Sequence, residues 1–224
     1  MNPFEKRLII TADGSHSLEI DALHETYHSK KGALTESRYV YIEKGLDYLR
    51  LTEGEEMSVL EVGFGTGLNA LLSLEWAMQK HKRINYTTLE AYPLEKELWK
   101  VLNHGELLDR DSDFKLLHSS EWNELIAIND LFQFQKLNTK VEDVIVEEDK
   151  YHVVYFDAFA PSRQDEIWEA SILEKMYNCL RKGGVLVTYC AQGAFKRNMK
   201  AIGFKVEELD GPPGKKEMVR GIKI

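Results

Sequence analysis

The 224-residue sequence has two cysteines, no apolar run approaching the roughly 20 residues that span a bilayer, and no excess of positive charge. Each shortage excludes something. Cys179 and Cys190 form no metal-spaced pair, and Cys190 lies in an apolar run, so both read as reduced core thiols of a cytoplasmic protein. The opening Met1-Asn2-Pro3-Phe4-Glu5-Lys6 lacks the apolar stretch of a signal peptide. A net charge of −8 argues against a broad, sequence-independent grip on nucleic acid, while leaving room for a local basic patch. No internal repeat is visible. The length and a hydrophobic content of 43% suit one sizeable α/β domain with an N-terminal extension.

The chain is organised around Val59-Leu60-Glu61-Val62-Gly63-Phe64-Gly65-Thr66-Gly67-Leu68-Asn69-Ala70-Leu71-Leu72. A short apolar run predicts a buried parallel strand that turns through glycines into an amphipathic helix, with Leu68, Leu71, Leu72 and Trp76 on one face. Glycines let the backbone turn tightly and let a ligand approach the main chain. The helix N-terminus behind them suits a carboxylate or phosphate. The spacing is G-x-G-x-G, not the G-x-G-x-x-G of nicotinamide proteins, and Glu61 precedes it. Glu90 closes the next strand-like run, placed to accept hydrogen bonds from ribose hydroxyls. A first-strand E-x-G-x-G-x-G with a second-strand acid looks like an S-adenosylmethionine methyltransferase.

Along the chain, Arg7–Thr11 and His16–Ile20 flank Asp13-Gly14, a hairpin signal. Apolar positions between Ala33 and Leu51 predict a helix. Further strands are expected at Met57–Val62, Ile84–Leu89, Phe114–Leu117, Tyr151–Asp157 and Val185–Cys190, with Ser119-Ser120-Glu121-Trp122 opening a helix after the third. Other helices are expected at Leu68–Gln79, from Pro93 to about Asn103, at Ile167–Leu180 and near Ala194–Ala201. Arg181-Lys182-Gly183-Gly184 is read as a helix stop, and residues 128–150 as an insertion with an edge strand. Phe204–Leu209 and Met218–Ile224 predict a terminal antiparallel hairpin. The fold class expected is α/β, a Rossmann-like parallel sheet wound on both faces. Residues 1–52 would form the N-terminal hairpin-and-helix extension, and 53–224 the catalytic domain.

Asp157 ends a buried apolar strand, and a charge there is costly unless paired or used. Asp157-Ala158-Phe159-Ala160-Pro161 occupies the position where amino methyltransferases carry a substrate-facing loop. Asp157 is the candidate to hold an acceptor amine and receive its proton. His24-Glu25-Thr26-Tyr27-His28 is a literal H-E-x-x-H, but Ser29-Lys30-Lys31-Gly32 follows at once and opposes the helix that zinc binding needs. Glu36 and Glu43 are the third ligands that reading would require. The preferred reading holds no metal.

Three segments together resemble the methyltransferase domain of the bacterial MnmC family: Leu60–Asn69, Phe156–Pro161 and Gly211-Pro212-Pro213-Gly214-Lys215-Lys216-Glu217-Met218. Gly32–Val40 and Glu90-Ala91-Tyr92-Pro93-Leu94 extend the resemblance over nearly the whole chain. It implies a class I methyltransferase fold and S-adenosylmethionine as cofactor. The reaction it implies is methylation of the primary amine of 5-aminomethyl-(2-thio)uridine in the anticodon region of tRNA. The cofactor residues expected are Glu61, Gly63, Phe64, Gly65, Thr66, Gly67, Asn69, Glu90, Ala91 and Asp157. Glu121 is expected at the adenine, where the family often has Gly-Asp. On the substrate side stand Tyr27 and Phe159, which could stack on a uracil, with Arg38, Pro161, Lys215 and Lys216. The family's full-length enzyme carries a second, FAD-dependent oxidoreductase domain. This chain ends before one and resembles a stand-alone, MnmD-like methyltransferase, with its aminomethyl substrate supplied by another route. The competing readings are a methyltransferase for a free small-molecule amine, a zinc hydrolase through His24 and His28, and a non-catalytic cofactor-binding module.

Overall fold

The computed structural model describes residues 5–23, 25–50, 52, 54–161 and 164–224. His24, half of the H-E-x-x-H motif, lies outside the described residues, as do Met1–Phe4, Leu51 and Glu53. The N-terminal hairpin forms as expected, β1 (Lys6–Ile10) against β2 (His16–Ile20), and β3 (Glu25–Thr26) adds a short third strand. Its turn caps the helix that follows. Ser15 Oγ accepts the N–H groups of Ala33 and Leu34 at 3.1 and 3.2 Å, and Asp13 Oδ2 accepts that of Thr35 at 2.8 Å. Helix α1 (Ala33–Ser37) starts after Gly32, which has no side chain to do this itself. The helix expected over 33–51 runs from Ala33 to Glu43 and is α-helical only in its first part. It widens into a π-turn at Arg38–Glu43, and after Gly45 only a 3₁₀ turn, Leu46–Tyr48, remains.

The order then runs β4 (Met57–Val62), α2 (Leu68–Lys80), β5 (Ile84–Leu89), α3 (Lys96–Trp99), α4 (His104–Leu107), α5 (Asp111–Ser119), β6 (Leu125–Asn129), β7 (Phe132–Leu137), β8 (Tyr151–Phe156), α6 (Ala170–Cys179), β9 (Leu180–Thr188), α7 (Gly193–Ile202), β10 (Phe204–Asp210) and β11 (Glu217–Lys223). The main sheet has eight strands in the order β10-β11-β9-β8-β4-β5-β7-β6. The central run from β9 to β7 is parallel, while β11, β10 and β6 pair antiparallel at the two edges. Every residue of β8, and all but Ser58 of β4, is buried, as strands covered by helices on both faces must be. This is the Rossmann-like class I methyltransferase architecture, with the expected C-terminal hairpin at one edge.

The third parallel strand is not where the sequence pattern put it. Phe114–Leu117 lies inside helix α5, whose buried Phe114, Leu117 and His118 recur at helical spacing behind Asp111 and Asp113 in the first turn. Ser119–Trp122 opens no helix and leads into the edge strand β6. The third strand is β7, within the stretch read as an insertion. It lies inside the sheet, paired with β5 on one side and β6 on the other. Its alternation puts Phe132, Phe134 and Lys136 on the buried face. Lys136 is tolerated there because its ammonium donates to the carbonyls of Leu117 (3.0 Å) and His118 (2.5 Å), capping the C-terminus of α5. Burial lowers its pKa to about 8.

Smaller corrections follow the same logic. The helix after Pro93 is a single turn, α3, and the one expected at Ile167–Leu180 divides into a 3₁₀ turn, Asp165–Trp168, and α6. Arg181–Gly184 belongs to the start of β9 instead of ending a helix. Cys179 and Cys190 are both buried free thiols. Among the described residues no helix is long and apolar enough to cross a membrane.

Candidate active site

The strand order reverses between β4 and β8, and in such sheets the ligand crevice opens at the carboxyl ends there. A cavity of about 400 Å³ lies at that place. The ends of β4, β5 and β8 converge on it through backbone hydrogen bonds. Gly63 N–H donates to Leu89 O at 2.9 Å, and Asp157 N–H to Val62 O at 3.0 Å. Gly63 has φ +95°, and a Cβ there would sit 2.4 Å from the Asp157 carbonyl oxygen. Only glycine lets these two strand ends approach so closely.

The loop that follows is tied to the second strand. Gly65 N–H donates to Glu90 Oε2 at 2.9 Å, and Tyr92 N–H to Glu90 Oε1 at 2.8 Å. Burial raises the Glu90 pKa, against the pull of these amides. Ala91 lines the cavity beside it. Thr66 sits between two buried histidines. His28 Nε2 lies 3.3 Å from its hydroxyl, and His118 Nε2–H donates to its carbonyl at 3.0 Å. Burial lowers both imidazoles to about 4, so both are neutral at physiological pH. The other ring nitrogen of His28 pairs with Ser17 Oγ at 3.1 Å, so hydroxyls occupy both of its nitrogens.

Asp157 closes β8 at the cavity wall. Asn69, in the first turn of α2, donates its amide to Asp157 Oδ2 at 2.8 Å. Burial raises the carboxyl to about 6, opposed by the Tyr41 hydroxyl and the Asn69 amide. A carboxylate poised near neutrality suits a group that must take up a proton. Phe159, two residues on, meets Tyr27 edge to face at 5.1 Å, and both rings line the cavity.

The expected site residues thus fall into two sets. Gly63, Phe64, Gly65, Thr66, Asn69, Glu90, Ala91, Asp157, Tyr27, Phe159 and Lys215 line one cavity. Glu61, Gly67, Glu121, Arg38, Pro161 and Lys216 do not. Glu61 is wholly buried behind the loop, where burial pushes its pKa up to about 8 and favours the neutral acid beside Asn69, Thr88 and Tyr86. Gly67 is the N-cap of α2 and faces His118. Glu121, expected at the adenine, is exposed on the turn before β6 and does not line the cavity. Beyond the true third strand, Thr139, Lys140, Val141 and Glu142 reach the cavity. Arg38 pairs with Glu75 at 3.0 Å, and the Lys216 side chain is 93% exposed. Glu36 and Tyr189 also line the cavity. The local pattern around Glu36 suggests only a metal ligand, and nothing in the pattern around Tyr189 marks it.

The cavity fits S-adenosylmethionine on four grounds. Its volume lies within the range of ligand pockets. Main chain free of Cβ atoms faces it at Gly63 and Gly65. No side chain caps the N-terminus of α2, whose N–H groups remain for a carboxylate. Glu90 offers the acceptors that ribose hydroxyls need.

Comparison with known proteins agrees. Residues 119–224 match the model of a family described as S-adenosyl-L-methionine-dependent methyltransferase. The chain is 29% identical over 214 residues to the tRNA 5-methylaminomethyl-2-thiouridine biosynthesis bifunctional protein MnmC of Leptospira interrogans, a match covering 88% of this chain and 32% of that protein. The MnmC protein of Aromatoleum aromaticum is 27% identical over 232 residues, covering 96% of this chain and 35% of its own length. The chain therefore spans about a third of the length of these curated relatives. The fold of MNMC2 from Aquifex aeolicus superposes with a TM-score of 0.81 at 22% identity, over 100% of this chain and 71% of that one. Spermidine synthase from Thermotoga maritima gives 0.61 at 14% identity, over 99% and 70%.

Proposed function

We propose that this S-adenosylmethionine-dependent methyltransferase modifies tRNA, transferring its methyl group to the primary amine of 5-aminomethyl-(2-thio)uridine at the wobble position. The observation that carries the reading is the placement of Asp157. Its carboxyl stands on the wall of the cavity that the glycine loop frames, fixed by Asn69 and poised near pH 6. Bound cofactor supplies an activated methyl group, so the chain has mainly to position an amine lone pair in line with it. An alkyl ammonium has no lone pair. The Asp157 carboxylate would hold it by charge, accept its proton directly or through water, and leave the amine free to attack. Tyr27 and Phe159 offer aromatic faces for an extruded uracil. Glu90 would hold the ribose of the cofactor, with Gly63, Gly65 and Ala91 giving main-chain contact and Thr139 beside the base. The names of the MnmC relatives support tRNA as the substrate.

A local basic patch has partial support. The Lys31 side chain reaches Gly214, beside Lys215 in the cavity wall, with Lys216 exposed next to it. Arg220 does not contribute, being buried and paired with Glu207 at 2.7 Å. A free cationic amine is the second reading, favoured by Glu36, Glu142 and Glu166 in the cavity wall. Purified protein with labelled cofactor decides between them. Methylation of tRNA carrying the aminomethyl group, seen by nucleoside analysis, is expected, with none on polyamines. Labelling of polyamines alone would overturn the proposal.

A further inference from the structure

Glu36 is a carboxylate with little access to solvent, 6% exposed, in helix α1. Its Oε2 accepts the Ser29 N–H at 2.7 Å, and its Oε1 stands 2.7 Å from the ammonium of Lys215. Lys215 belongs to the turn between β10 and β11, at the opposite end of the chain. The same ammonium lies 3.6 Å from the centroid of the Tyr189 ring, just beyond β9. The Tyr189 hydroxyl donates at 2.7 Å to the carbonyl of Ala158, the residue after Asp157. Glu36, Lys215, Tyr189, Ala158 and Asp157 all line the cavity.

These contacts form a single run from the two ends of the chain to the acceptor loop. A buried carboxylate left without its cation is strongly unfavourable, so the ion pair fixes where the Lys215 ammonium sits. The ammonium in turn holds the ring by cation–π attraction, and the ring carries the hydroxyl that anchors the Ala158 carbonyl. That peptide begins at Asp157, whose carboxyl meets the Asn69 amide and the Tyr41 hydroxyl. None of these contacts involves Gly65 or Glu90, where the cofactor reading places the nucleoside.

The geometry points to the Glu36–Lys215 ion pair as a positioning device for the methyl-acceptor wall, acting through Tyr189 on the Asp157-Ala158-Phe159 loop. The inference rests on the proposed amine-methylating function for its catalytic consequence, but not for its structural one. A tie serving only to join the chain ends would lower stability and leave the loop as it was.

Two measurements test it. In Lys215→Met and Glu36→Gln, single-turnover methyl transfer to aminomethyl-bearing tRNA should fall at least tenfold, with cofactor affinity by calorimetry within twofold of wild type. Lys215→Arg, which keeps the charge and the stacking, should recover to within threefold. An unchanged rate in Lys215→Met, a parallel loss of cofactor affinity, or no recovery by arginine would each overturn the assignment. The second measurement needs no acceptor. Amide hydrogen exchange of residues 157–160 in the protein alone should quicken at least tenfold in Lys215→Met and not in Lys215→Arg. Unaltered exchange there sinks the inference whatever the substrate. Wild-type protein that fails to methylate the tRNA sinks the function instead.

Discussion

The Gly65 amide donates to Glu90 Oε2 at 2.9 Å, joining the loop after the first parallel strand to the end of the second. The same carboxyl holds the Tyr92 amide through its other oxygen. Glu90 therefore has two tasks, shaping the glycine loop and offering acceptors to a ribose. Glu90→Ala removes charge-assisted hydrogen bonds of roughly 1.5–3 kcal/mol each. Cofactor affinity should fall about tenfold to a hundredfold. Calorimetry gives the dissociation constant directly, and an unchanged value would move the ribose contact to another acid.

Gly65 itself has φ +49°, and a Cβ there would stand 3.2 Å from the Tyr27 ring. Valine at this position is strained in its backbone and pushes into the cavity between the loop and Tyr27. Gly65→Val should abolish cofactor binding while leaving the far-ultraviolet circular dichroism of the fold in place. A folded variant with wild-type affinity would remove the loop from the site.

Asp157 titrates near 6 in the free protein. The rate limb belonging to the free enzyme should therefore rise through that region as the carboxylate forms. Asp157→Ala should lose this limb and about 10²–10⁴-fold in single-turnover methyl transfer, with cofactor affinity little altered. Raising the pH should restore part of the rate if proton removal is the missing step, and little if docking of the ammonium is. A variant within about threefold of wild type at every pH would reduce Asp157 to a strand-end cap, since general-base assistance is worth far more than that.

Glu61 makes a prediction about stability. Burial raises its carboxyl from 4.5 to about 8 in the folded chain. Below pH 4.5 folded and unfolded chains both carry the proton. Above that, the unfolded chain releases it while the folded chain keeps it, so this contribution to stability is lost progressively as pH rises towards 8. The slope attributable to one such group is about 1.4 kcal/mol per pH unit. Glu61→Gln keeps the shape without the titration, and should be less pH-dependent than wild type by that slope in urea melts between pH 5 and 8. Parallel curves for the two proteins would show that Glu61 is ionised in the fold.

The features legible in the sequence were local and periodic. The glycine run after an apolar strand, the helix behind it, the acids ending β5 and β8 and the two hairpins were all legible, because each is set by neighbours within one turn or one strand. Sequence failed where two local patterns compete. Phe114–Leu117 is apolar enough for a strand, and only the packing of Phe114, Leu117 and His118 under the sheet made it a helix. Phe132–Leu137 alternates like an edge strand. Its inclusion in the sheet depended on β5 beside it and on the α5 carbonyls that accept the Lys136 ammonium. That one displacement kept the residues after β7, Thr139 to Glu142, out of the expected site. Tertiary structure alone decided that Glu61 faces away from the cavity. It also brought Glu36 within 2.7 Å of Lys215, because a contact between residues at opposite ends of a chain leaves no periodic trace in either.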